Sequence, residues 1–148
     1  MHLVECDLIT SLAGHGSHQE TAHRLFNACA AGKIQLAASV QAFQEMDLLV
    51  KQGKIKLNAP AEKFFSELLD SFAQFGVHEL PLAGADTTHS IEFRKKYRLT
   101  FNDSYYVAQA YRTGYTLLSH DQRYFSVKEI KTEHPRDALK RLEEGKTA

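Results

Sequence analysis

Short apolar segments alternate with helical patterns along this chain, and that alternation most constrains the fold. His2 to Cys6 reads as a first strand, Ile34 to Ala38 as a second and Tyr115 to Leu118 as a later one. Between them, His18 to Ala31, Ser39 to Gln52 and Pro60 to Phe75 carry apolar residues at helical spacing. Gly32, Gly53 and Gly76 stand where those helices should stop. Val77 to Leu80 is a candidate short strand and Val127 to Ile130 a candidate edge strand. Two helices, from Asp86 to Tyr97 and from Asp103 to Arg112, precede the Tyr115 strand, and a short helix follows Pro135. Strands separated by helices predict a central parallel sheet of about four or five strands with helices on both faces.

At 148 residues the chain has the size of one domain, and only Glu143 to Ala148 reads as a loose tail. Hydrophobic residues make up 43%, enough for a core without a disulfide or structural metal. Cys6 and Cys29 form neither a CxxC pair nor a zinc spacing, and read as small buried residues in a reducing compartment. Glu5 and Asp7 interrupt the first apolar stretch, which argues against a signal peptide. No apolar run is long enough to span a bilayer. A cytoplasmic protein is expected. The formal net charge is zero, so a strongly basic nucleic-acid-binding chain is excluded, though a local basic patch is not.

Four acids are placed so that this fold would gather them. Asp7 follows the first strand, Asp121 follows the Tyr115 strand, and Asp103 opens the helix leading into it. Glu45 lies about two turns into the helix after strand two, beside Ala42, Met46 and Leu49. Ligand crevices of open α/β sheets lie outside the carboxyl ends of the strands. Carboxylates gathered there repel unless a cation sits among them. Each acid also has a plainer reading. Thr100-x-x-Asp103 matches a capping box, and Asp7 and Asp121 suit loop turns. Glu45 is harder to explain that way, because an unpaired carboxylate beside an apolar stripe is costly. Asp47 should point elsewhere, to solvent.

These residues carry a resemblance. Asp103-x-x-Tyr106-Val107-Ala108-x-Ala110, followed by Gly114-Tyr115-x-Leu117-Leu118-Ser119-x-Asp121-x-x-Tyr124-Phe125, resembles the C-terminal half of PIN domains, many of which are VapC-like toxin ribonucleases. The resemblance extends over about residues 1–130. It implies a single PIN-like α/β domain and an endoribonuclease dependent on Mg²⁺ or Mn²⁺. Asp7, Glu45, Asp103 and Asp121 occupy the positions of the family's acidic quartet, as metal ligands and catalytic groups. Ser119 is close enough to Asp121 to orient a ligand or bind phosphate, or to close the turn. The resemblance also implies an RNA substrate and an antitoxin partner. The pattern departs at Asp7, which is followed by Leu8 and Ile9 where the family has a small hydroxyl residue and then Asn or Ser. That departure keeps a second reading in view: a catalytically silent PIN-like module binding RNA or protein.

Other features are less specific. Arg94, Lys95 and Lys96 form the strong basic cluster, between Phe93 and Tyr97. They suit RNA contact as substrate-binding residues, and equally suit a solvated helix end. His15, His18 and His23 lack the spacing of a helical metal pair and read as surface histidines; the alternative is a place near the crevice, touching substrate, because their loop follows Asp7. Gly14-x-Gly16 lacks the remaining residues of a phosphate loop. Phe64, Phe65, Phe72 and Phe75 make more than one face of their helix apolar, which fits core burial or an interface for a homodimer or the antitoxin.

Overall fold

The computed structural model describes residues 1–145. Five short strands form one wholly parallel sheet: β1 (His2–Val4), β2 (Leu36–Ser39), β3 (His78–Leu80), β4 (Thr116–Leu118) and β5 (Thr132–Glu133). Their order is β3-β2-β1-β4-β5, so β1 is central. Its residues His2, Leu3 and Val4 pair with Leu36, Ala37 and Ala38 on one side and with Thr116, Leu117 and Leu118 on the other. Parallel strands need crossovers, and helices supply them. These are α1 (Cys6–Leu12), α2 (Gln19–Ala30), α3 (Val40–Lys51), α4 (Ala61–Phe75), α5 (Gly84–Tyr97) and α6 (Phe101–Thr113), with α7 (Pro135–Glu143) closing the described chain.

The core sits on both faces of the central strands. Leu3, Val4, Leu36, Leu117 and Leu118 are fully buried in one cluster with Leu8, Leu25, Phe26, Met46 and Val107. Burying each such side chain stabilises the fold by about 1.5–3 kcal/mol. On α4, Phe64, Leu68, Phe72 and Phe75 follow one stripe against this core, and Phe72 packs on Phe26 and Phe43. Phe65 and the exposed Leu69 face a separate shallow groove with Phe43. Gly76 takes the left-handed conformation that ends α4, and Gly114 does the same for α6.

Several boundaries differ from the sequence reading. The first strand ends at Val4, not Cys6, because Cys6 already begins α1. Leu8, Ile9 and Leu12 recur at helical spacing and are buried, but α1 spans only seven residues and so gives little periodic signal. The edge strand is Thr132–Glu133 rather than Val127 to Ile130; Gln122–Ser126 forms a 3-10 turn instead, and Val127 is tucked into the core. Asp86 is the third residue of α5 rather than its cap residue. It is fully buried, accepts from the Ala83 amide and holds a bidentate ion pair with Arg112 of α6. Glu143 is the last residue of α7 and pairs with Arg24, so it is not part of a loose tail. Glu144 caps that helix and Gly145 follows with positive φ, while residues 146–148 of the expected tail lie outside the described residues. Among the described residues no helix is long and apolar enough to cross a membrane.

Candidate metal centre

The acids are brought to one edge by four parts of the fold: α1, α3, α6 and the loop after β4. β1 ends at Val4, and Glu5 follows in extended conformation as the residue preceding α1. Asp7 is in the first turn of α1. Ser39, at the end of β2, starts α3: its hydroxyl accepts from the Gln41 amide and donates to Gln109 Oε1 at 2.5 Å. Gln109 lies on α6, so this buried bond sets α3 and α6 side by side, with Gln41 Nε2 donating to Asn102 Oδ1 at 2.7 Å as a second tie. Glu45 on α3 and Asp103 on α6 are thereby brought to the same crevice. β4 runs into Ser119, and Asp121 follows as the residue preceding the 3-10 turn.

The crevice encloses about 420 Å³ and is lined by Glu5, Asp7, Glu45, Asp103 and Asp121, with Thr10, Tyr106 and His120 among them. All four acids singled out from sequence therefore converge. Asp103 is not a mere cap. Thr100 Oγ1 accepts from the Asp103 amide, so half of the capping box forms. The Asp103 carboxylate instead accepts from the Tyr124 hydroxyl at 2.7 Å and lies 3.2 Å from the Arg123 guanidinium. Glu45 accepts from the buried Tyr106 hydroxyl at 2.6 Å. Asp121 binds Arg123 through both carboxylate oxygens, which holds its pKa below the usual range.

Glu5 is the site residue that sequence reasoning missed. It is only 8% exposed, accepts from the Ser119 hydroxyl at 2.8 Å, and has its pKa pushed up to about 7. Burial is the main cause; the negative charges of Asp7 and Asp103 add to it, against the Ser119 and Tyr124 hydroxyls. The available signal was its position directly after the apolar residues of β1, at the carboxyl edge. Asp7, two residues on, has a side chain 45% exposed. With Glu5 as the acid at the strand end, Leu8 and Ile9 become buried positions of α1 rather than a missing polar turn. Burial raises the Glu45 pKa as well, with Asp103 adding to it and Tyr106 opposing.

The remaining sequence candidates divide. Ser119 is fully buried; its hydroxyl donates to Glu5 and accepts from the Asp121 amide, so it braces two acids from within. Arg94 is turned into the α5–α6 interface, where it donates to Ser90 and Ser104 and lies over the Phe101 ring. Lys95 is exposed, and Lys96 pairs with Glu129. None of the three lines the acidic crevice.

This donor set fits a hard divalent cation. Two of its acids, Glu5 and Glu45, are raised by burial and by the charge of Asp103, and carboxylate oxygens are the ligands that Mg²⁺ and Mn²⁺ take. The hydroxyls of Tyr106, Tyr124 and Ser119 fix individual carboxylate oxygens without neutralising their charge.

No protein-family model matches the chain, and no curated protein matches it significantly. Solved structures do. A chain of VapBC2 from Rickettsia felis, solved bound to a DNA fragment from its promoter, is 13% identical at a TM-score of 0.68, over 90% of this chain and 97% of that one. A chain of FitAcB from Neisseria gonorrhoeae is 17% identical at 0.67, over 92% and 99%. A chain of a toxin-antitoxin complex from Klebsiella pneumoniae is 18% identical at 0.62, over 91% and 98%. At these identities the likeness is one of fold, and it bears out the fold that the sequence resemblance implies: the chain has the PIN-like fold of VapC-type structures.

Proposed function

We propose that this protein is a metal-dependent endoribonuclease, hydrolysing RNA phosphodiester bonds, and the toxin of a toxin–antitoxin pair. The observation that carries the reading is the convergence of Glu5, Asp7, Glu45, Asp103 and Asp121 on one open crevice at the carboxyl edge of the sheet. Glu45, Asp103, Asp121 and Asp7 are the proposed metal-holding and catalytic groups. Mg²⁺ or Mn²⁺ bound there would supply Lewis acidity toward water and the scissile phosphate. Tyr106 orients Glu45 and Tyr124 orients Asp103 by donating to one oxygen of each. Glu5, with its pKa near 7, is placed to accept or return a proton at neutral pH. Arg123 stands at the mouth, 58% exposed, as a cation that a phosphate can draw from the carboxylates. Of the basic cluster, Lys95 is exposed and lies outside the ion pair that holds Lys96 to Glu129, which suits it best to RNA contact.

Support for the toxin role comes from the fold neighbours, which include toxin-antitoxin complexes. A partner antitoxin would block the acidic crevice, and the α4 groove beside Phe65 and Leu69 offers a surface for it or for a second copy. A cytoplasmic place of action goes with an RNA substrate.

The test is incubation of the purified protein with mixed labelled RNAs in Mn²⁺ or Mg²⁺. Cleavage that EDTA and Asp103→Asn both abolish is expected. Absence of cleavage, together with absence of Mn²⁺ binding, overturns the enzyme reading and leaves the silent binding module.

A further inference from the structure

Beside the carboxylates lies a second group of different chemistry. An oxygen of Asp7 and a ring nitrogen each of His18 and His120 lie within 4.8 Å of one another. The two imidazoles are stacked, with centroids 3.6 Å apart and planes 8° from parallel. His120 Nδ1 is buried without a full hydrogen bond and lies 3.5 Å from Asp7 Oδ2. The three residues come from separate elements: α1, the residue preceding α2, and the loop after β4. They are joined here by the fold alone.

We propose that Asp7, His18 and His120 form a second metal site, which takes a borderline transition metal of the Zn²⁺ class. Two imidazoles and one carboxylate are the protein ligands of an open tetrahedral zinc centre, with water in the fourth position. Imidazole nitrogen selects Zn²⁺ and its neighbours in the first transition row over Mg²⁺, which prefers oxygen throughout. Bonds of about 2.0–2.2 Å put tetrahedral ligand atoms about 3.4 Å apart. Asp7 Oδ2 and His120 Nδ1 already stand 3.5 Å apart, and rotation of the half-buried His18 off the His120 face brings in the third ligand. An ion there also gives the buried His120 Nδ1 a full partner. His134 packs edge-on against His120, but its Nδ1 accepts from the Arg136 amide at the start of α7, which leaves it outside the ligand set. Asp7 belongs to both groups, so the two sites share one ligand. The site stands independently of the nuclease reading.

The experiment titrates the full-length protein with Co²⁺ in the presence of excess Mg²⁺ and follows visible d–d absorption. One Co²⁺ is expected to give a tetrahedral-type band that Mg²⁺ leaves in place and Zn²⁺ removes. His18→Gln, at a half-buried position outside the core, should weaken Co²⁺ binding at least tenfold, and His18→Gln with His120→Gln should abolish it. Asp103→Asn should retain it. Thermal melts confirm that each variant is folded. Absence of the band in the wild type, or unchanged affinity in folded His18→Gln, overturns the proposal. So does loss of the band in Asp103→Asn with the histidine variants unaffected, which assigns the ion to the carboxylates.

Discussion

The Arg123 guanidinium lies against Asp121, with Nη2 2.6 Å from Asp121 Oδ2. The same nitrogen stands 3.2 Å from Asp103 Oδ2. A side-chain cation therefore sits between two of the acids, where a metal ion would otherwise balance them. Its own pKa is raised, chiefly by the hydrogen bond to Asp121. Arg123→Gln removes this competitor. Mn²⁺ affinity should rise by about tenfold, a little over 1 kcal/mol for one nearby charge in a partly solvated site. Isothermal titration of the variant beside the wild type measures it; unchanged affinity means that Arg123 does not compete for the carboxylates.

Tyr106 joins the core to the site. Its ring is 1% exposed, and its hydroxyl donates to Glu45. Tyr106→Phe keeps the packing and leaves one Glu45 oxygen without its donor. A loss of about 1.5–3 kcal/mol in urea unfolding is expected, the range for a hydrogen bond to a charged group. The Glu45 pKa should move further up, because the hydroxyl now opposes the effect of burial.

Glu5 makes the metal-free protein sensitive to pH. Its folded pKa is about 7 against 4.5 for the ordinary side chain. Between those values the folded state binds more protons than the unfolded state, so stability falls as pH rises through that window and levels off above it. The fall contributed by Glu5 is on the order of 3 kcal/mol. Glu45 is shifted the same way and adds to it. His2, His120 and His134, lowered by burial, act in the opposite sense below about pH 6.5, so the difference between wild type and Glu5→Gln carries the test. Denaturant titrations from about pH 4.5 to 8 in EDTA should show Glu5→Gln losing less stability than the wild type as pH rises; parallel curves contradict the assignment.

Arg98 ends α5 with φ 54° and ψ 39°, the only non-glycine residue with positive φ among the described residues. Gly76 and Gly114 fill the equivalent place after α4 and α6. A side chain in this conformation costs about 1–2 kcal/mol, partly offset by the greater unfolded freedom of glycine. Arg98→Gly should therefore raise stability by roughly 0.5–1 kcal/mol, read as a higher denaturation midpoint with unchanged slope.

Much of this was legible in the chain. The alternation of elements and the glycine stops predicted the parallel sheet, because they depend on local periodicity and backbone freedom. Asp7, Glu45, Asp103 and Asp121 reach the expected crevice because strand ends and helix starts determine where a side chain emerges. Glu5 was missed because α1 is two turns long, so the strand was read two residues too far and the acid at its true end was hidden inside it. Arg94 was misjudged for a tertiary reason. Its partner Ser104 lies on the next helix, and nothing in a basic run tells which member turns inward. The meeting of His18 with His120 was equally invisible, since about a hundred residues separate them and no periodic signal links them.

The most direct test of the account is a calorimetric titration of Mn²⁺ into the wild type, Glu5→Gln and Asp103→Asn at neutral pH, with His18→Gln as background to exclude the histidine site. The account predicts saturable binding, with proton release that shrinks in Glu5→Gln and affinity that falls at least tenfold in Asp103→Asn. Mn²⁺ binding that is absent, or that neither carboxylate variant changes, would contradict it.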